Sequence, residues 1–226
     1  MDLTRSFEGV FSRELRERYE FREVRNAAAV IAHTNPDAFK DLVGVLEDFS
    51  LREADVLEPG KNEGKIAKRL NQAFRDAGWR EGKYGSTLTS RLVLSPYRPA
   101  DERKATVKET SVTSDGYKID NVKDEVALDV EWNAKDGNLD RDVAAYRSLY
   151  DVGILSAGVM LTRTMNDLRQ LGRELGRPKF LNTTTTTNLE KLEPRLVRGD
   201  AGGCPLLAVA ITARCYEGHR LELGLQ

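Results

Sequence analysis

The stretch that decides the fold is Tyr117 to Trp132, YKIDNVKDEVALDVEW. Tyr117 to Asp120 reads as a short strand, the polar Asn121 to Glu125 segment as a turn, and Val126 to Trp132 as a second strand. Side chains alternate across a strand. Leu128, Val130 and Trp132 therefore point one way, into a core, and Asp129 and Glu131 point the other way, side by side. Asp120 ends the first strand and sits across from them. Three carboxylates converge at the end of a sheet. Like charges at close range repel, and a hard divalent cation with oxygen ligands is their natural partner.

Spacing alone does not decide the matter. With 36 acids in 226 residues, an Asp followed by two acids one residue apart arises by chance ~1–3 times in such a chain. A hairpin with a solvated acidic face has the same spacing. The order of the residues adds more. The run D-N-V-K-D-E-V-A-L-D-V-E-W resembles the catalytic hairpin of the BglII/BstYI group of type II restriction endonucleases, within the larger PD-(D/E)xK nuclease superfamily. That core is an Asp, a short turn, then an apolar strand carrying an acid-x-(Lys, Gln or Glu) triplet. The matching positions are Asp120, Asp129 and Glu131, with Val130 between. The helix and strand through Asp140 to Arg163 look similar too. So does Asn71 to Glu81, NQAFRDAGWRE, where a helix ends in a Gly-Trp pair.

Two departures stand out. Asp129 occupies a position where the group more often has Glu. Glu131 stands where most of the superfamily has Lys and this group often has Gln. A Glu there resembles the BamHI arrangement and removes a positive charge credited with orienting the water or steadying the phosphorane.

The resemblance implies an α/β fold with a restriction-endonuclease-like core, a central mixed β-sheet flanked by helices, as a single domain over residues 1–226. It implies a homodimer that cleaves a short palindromic site in double-stranded DNA, with Mg²⁺ held by Asp120, Asp129 and the Val130 carbonyl. Glu131 would position or deprotonate the water, and Glu81 would add a further polar group to the active site. A cognate DNA methyltransferase would be encoded separately.

The formal net charge is −1, with 31% charged residues. That is not the basic balance of a protein held to DNA by charge alone, so any nucleic-acid contact needs a local basic cleft. Two cysteines, Cys204 and Cys215, make no disulfide framework and read as buried thiols in a reducing cytosol. The charged start MDLTRSFEGVFSREL lacks the apolar core of a signal peptide, and no apolar run reaches the ~20 residues of a membrane span. A cytoplasmic protein with no membrane partner is expected. His33 and His219 have no Cys or His at zinc-ligand spacing.

Outward from the hairpin, Phe7, Val10, Phe11 and Leu15 have helical spacing, and Arg18 to Val24 alternates like a strand. Asn35-Pro36 opens a helix with Asn35 as N-cap. Leu57 to Gly64 is a loop. Lys61, Lys65, Lys68 and Arg69 cluster there, either along DNA phosphates or on the wet face of the helix carrying Ile66, Leu70 and Phe74. Leu88 to Leu94 reads as a strand, and Ser95 to Lys108 as an exposed charged connection.

Beyond the hairpin, Asn138 can cap a helix with Leu139, Val143, Tyr146 and Leu149 on its apolar face. Lys135 and Arg141 lie near its start, where helix N-termini favour phosphate; the region is equally a candidate dimer interface, which the family resemblance places on helices near here. Gly153 to Leu161 and Leu206 to Thr212 read as buried strands. Leu168, Leu171 and Leu175 mark another helix. The run Asn182 to Asn188, NTTTTTN, suits an ordered polar loop. Asn182, Thr183, Thr184, Thr185, Thr186 and Asn188 are candidates to read base edges, with a low-complexity surface linker as the alternative. Arg214, Tyr216, His219 and Arg220 follow the last strand and are further DNA candidates. A structure-specific repair or recombination nuclease of the same fold, or a DNA-binding module without turnover, are the rival functions.

Overall fold

The computed structural model describes residues 1–57 and 63–218. Lys61, His219 and Arg220 lie outside them. The N-terminal helical reading divides into two short helices, α1 (Phe7–Val10) and α2 (Arg13–Arg18). The break falls where the Ser12 hydroxyl accepts from the Leu15 N–H and caps α2. Strand β1 (Tyr19–Val24) follows, then α3 (Ala27–Thr34), α4 (Pro36–Asp48), α5 (Glu53–Leu57) and α6 (Glu63–Asp76). Next come β2 (Arg80–Lys83), β3 (Ser86–Leu94), β4 (Thr106–Ser114), β5 (Lys118–Lys123) and β6 (Val126–Val130). The chain continues through α7 (Gly137–Asp151), β7 (Ala157–Arg163), α8 (Asn166–Glu174), α9 (Leu189–Arg198) and β8 (Leu206–Ile211).

Six strands form one mixed sheet in the order β1-β8-β7-β6-β5-β2. The central β6, β7 and β8 run parallel, and β1, β5 and β2 are antiparallel to their neighbours. Every residue of β6, β7 and β8 is buried. Their near-continuous apolar sequence fits strands covered on both faces. One face packs against α3, α4, α6 and α8 through Ile31, Leu42, Leu70, Phe74 and Leu168. The other packs against α7 and α9 through Val143, Tyr146, Leu192 and Leu196. This is the mixed central sheet flanked by helices that the hairpin led us to expect. Among the described residues no helix is long and apolar enough to cross a membrane. Cys204 and Cys215 are free and buried, as expected.

The hairpin differs in detail from its sequence reading. Strand β5 runs on to Lys123, and the turn is only Asp124-Glu125, with Asp124 at φ 51°. Polar residues persist in β5 because each has a partner. Asn121 donates to Asn71 Oδ1 at 2.7 Å, and Lys123 reaches Asp41 at 2.5 Å. Asn35 precedes Pro36 as expected, but its side chain caps nothing. It binds the Glu125 N–H and the Ser156 hydroxyl and so pins the hairpin turn to the start of β7.

The charged connection after β3 is in part a strand, β4, which pairs with β3 over nine residues as a separate two-stranded ribbon. Asn138 does not cap α7; Asp136 occupies the N-cap, also without a side-chain bond. Helix α9 carries Pro194 in its interior, which masks it in a sequence reading.

Candidate active site

Alternation along β6 sets the site. Val126, Leu128, Val130 and Trp132 enter the core beside α4 and α6. Ala127 faces α7, and Asp129 meets a side chain of that helix. Asp129 and Glu131 are buried, 3% and 5% exposed. Asp120 lies opposite Asp129. Its backbone N–H donates to Asp129 Oδ1 at 2.8 Å, and its own Oδ2 accepts from the Val130 N–H at 3.2 Å. Asn71, on α6, donates to the same Asp120 oxygen at 3.4 Å.

Beyond β6 the backbone of Glu131 is held on both sides. Its N–H donates to Leu161 O at 2.8 Å, and its carbonyl accepts from the hydroxyls of Thr162 and Thr187, each at 3.0 Å. Its side chain turns towards α7. Asn138 Nδ2 lies 3.5 Å and Arg141 Nη2 4.0 Å from Oε1, while Oε2 is buried without a partner.

Helix α7 adds residues that the hairpin alone did not indicate. Asp142 is 1% exposed; Arg141 Nε donates to its Oδ1 at 2.7 Å, and its Oδ2 has no partner. Tyr146 is fully buried and donates towards Asp129 Oδ2 at 2.5 Å and Val159 O at 3.0 Å. A phenol has one proton for these two acceptors. Tyr146 fits because residue 158 on β7 is glycine: a Cβ there would fall 2.5 Å from the Tyr146 ring. The clue to Asp142 was its helical phase. It shares a face with Leu139 and Tyr146, where an acid occupies a core position.

Burial and the Asp142 charge push the Asp129 carboxyl up from 3.8 to about 7. Burial raises Glu131 too, with the Asp142 charge as the next cause. Burial also raises Asp142, opposed by the bond from Arg141. The site is an over-acidic pocket short of positive charge.

The expected trio therefore forms in a modified way. Asp120 and Asp129 come together, whereas Glu131 turns towards Asn138 and Arg141. Among the described residues no three His, Cys, Asp or Glu side chains stand together in a way that could hold a metal ion. The chemistry of the donors nonetheless suits a hard cation: buried carboxylates, two orphaned oxygens, and pKa values raised by burial first and by the neighbouring acids second.

The other expected residues scatter. Glu81 is exposed and paired with Lys118 at 2.9 Å; it is not joined to the acids, and Asn71 is the polar side chain that reaches Asp120. A surface ion pair with the neighbouring strand accounts for Glu81. Lys65 and Lys135 are exposed, and Arg69 is committed to Asp55 at 2.8 Å. Asn188 is buried and is the N-cap of α9, accepting from the Lys191 N–H at 2.9 Å, so its side chain is not offered to DNA. Asn182, Thr183, Thr184 and Thr185 are exposed. Thr186 is half-buried and accepts from the buried Arg163 at 3.0 Å. This loop lies against the segment after β6 through Asp136 N–H to Thr185 O and Thr187 N–H to Ala134 O.

The mixed central sheet flanked by helices, with buried acids where the strand β6 ends, is consistent with a restriction-endonuclease-like fold. Residues 19–211 match the family model described as restriction endonuclease BglII/BglIII. The chain belongs to that family. It is thus a site-specific deoxyribonuclease that binds DNA, and enzymes of this type generally use a divalent metal. No curated protein matches the chain.

Proposed function

We propose that this chain is a Mg²⁺-dependent type II restriction endonuclease of PD-(D/E)xK type, working as a homodimer on a palindromic site. The observation that carries this reading is the buried carboxylate pocket at the end of β6, with its orphaned Glu131 and Asp142 oxygens, in a chain of this family. Asp120, Asp129 and the Val130 carbonyl would hold Mg²⁺. A cation held there supplies positive charge to the phosphate and makes water a better nucleophile.

The chain's own residues divide the remaining work. Asn71 and the Val130 N–H fix the Asp120 carboxylate. Tyr146 orients Asp129 from below. Ionised, Glu131 accepts a proton from the attacking water. Arg141, anchored by Asp142 and 38% exposed at its side chain, supplies the positive charge that the superfamily takes from Lys at the Glu131 position. Lys65 and Lys135 contact phosphates. Asn182 and Thr183 to Thr185 read base edges, on a loop braced by Thr186 and Thr187. Two-fold symmetry in the protein mirrors symmetry in the site.

The test is digestion of a sequenced plasmid with Mg²⁺ and mapping of the ends. Discrete fragments with one shared end sequence are expected, and their loss in EDTA. A smear would indicate a nuclease that reads structure, and no cleavage would leave a DNA-binding module.

A further inference from the structure

The ribbon of β3 and β4 takes no part in the site described above, and its two strands pair only with each other. All eighteen of its strand residues are exposed. An isolated two-stranded hairpin is at best marginally stable in water, so nine paired residues on each side call for an occupant. From its composition and its root, we infer that the ribbon is a DNA-binding arm that grips the duplex beside the cleavage site. This rests on the nuclease reading given above.

The root supplies the first reason. The ribbon springs from the β2–β5 pair, where Tyr84 N–H donates to Tyr117 O at 2.7 Å. Gly116 at φ 61° makes the exit possible, since a Cβ there would fall 1.8 Å from Tyr84 O. Asp120 stands on β5 only three residues after Tyr117, ~10 Å of extended chain. DNA whose phosphate reaches Asp120 and Asp129 passes this root. At ~3.3 Å per residue the strands extend about 30 Å, more than the width of a major groove, which admits a two-stranded ribbon.

Charge supplies the second reason. Residues 86–114 hold five basic and three acidic residues, a net of +2 in a chain of net −1. The acids at the tip serve the turn: Glu102 accepts from the Tyr97 N–H at 2.9 Å, and Asp101 takes φ 59°. Among the described residues, Arg98, Arg103, Lys104 and Lys108 have no ion-pair partner. They are cations without anions, on a segment with a basic surplus.

The third reason is the surface itself. Nine of the eighteen strand residues are Ser or Thr. On one face Thr87 pairs with Thr113 at 3.1 Å and Thr89 with Ser111 at 3.2 Å, beside Arg91. Hydroxyls rotate to donate or accept, which suits phosphates and base edges. The opposite face carries Leu88, Leu92, Leu94 and Val112. Its flat extent, ~30 Å by ~10 Å or about 300 Å², is well short of the ~800 Å² per partner of a stable protein interface. A second copy is therefore the weaker occupant.

The experiment measures binding to a 30-bp duplex carrying the mapped cut site, by fluorescence anisotropy with Ca²⁺ in place of Mg²⁺, across a salt series. Arg98→Ala/Arg103→Ala/Lys104→Ala lies far from the core, and its melting temperature should stay unchanged. Each phosphate contact contributes about 0.9 to the slope of log K against log salt. The triple variant should lose roughly 2–3 from the slope and bind at least tenfold more weakly, with plasmid cleavage slowed in parallel at low DNA concentration. If wild type cleaves DNA while the variant keeps its affinity and slope, the arm inference is overturned and the nuclease reading stands. If Leu88→Ser/Val112→Ser turns a dimer into monomers in sedimentation while the triple variant binds normally, the ribbon is a dimer arm and the inference is likewise overturned. A wild-type chain that neither binds nor cuts duplex DNA overturns both.

Discussion

Replacing Asp129 by asparagine should make the protein more stable and inactive. The carboxyl is 3% exposed and its pKa rises from 3.8 to about 7, first through burial and then through the Asp142 charge. A carboxyl raised in the folded state gives its full stability below the unfolded value of 3.8. That stability is lost as pH climbs, and the loss is complete near 7. Three units at 1.36 kcal/mol each set the loss at about 4 kcal/mol.

Asparagine avoids it with no bond lost. Its Oδ1 accepts from the Asp120 N–H, its Nδ2 donates to the Tyr146 oxygen, and the phenol proton goes to Val159 O. In EDTA, urea unfolding should place Asp129→Asn about 4 kcal/mol above wild type at pH 8 and under 2 kcal/mol above it at pH 5. Cleavage should be abolished. A variant less stable at pH 8, or a gap that does not change with pH, refutes the reasoning.

Arg141→Ala should lower kcat by ~10² with little change in DNA affinity, and Arg141→Lys should recover part of it; single-turnover kinetics separate the two terms. Gly158→Ala should drive its Cβ into the Tyr146 ring and cost about 1–3 kcal/mol of stability, read by thermal melting, with cleavage reduced. Asn188→Ala should cost ~1 kcal/mol through the lost cap of α9, and mapping of cut ends should show the same site as wild type. Adding Mg²⁺ to metal-free protein should raise its melting temperature at pH 8 far more than at pH 5, where protons compete for the same carboxyls.

The hairpin was legible because strand periodicity and residue order agree there. Leu128, Val130 and Trp132 separate cleanly from Asp129 and Glu131, and the apolar runs of β7 and β8 read directly as covered strands. What stayed hidden depends on contacts between distant residues. Asn121 and Lys123 look like turn residues until Asn71 and Asp41 are placed beside them. Glu81 looked equal to any other acid near a Gly-Trp pair, and only the Lys118 partner settles its place. The threonine run looked uniform, yet Thr187 and Asn188 are structural while Asn182 to Thr185 are exposed. Asp142 and Tyr146 were hidden by the apolar stripe of α7, since a helix face is read as core before any acid on it is questioned. Strand β4 was obscured by its charges, because both of its faces meet solvent and no alternation develops.

The two aspartates at the centre of the site are also each other's framework. Asp129 holds the backbone of Asp120, and Asp120 holds the backbone just after Asp129. Removing either carboxylate loosens the main chain that presents the other. Truncation to alanine at one position will therefore report damage at both, and two such losses will not add. Amide replacements, which keep an oxygen facing the same N–H, are the substitutions that can apportion ligand from scaffold.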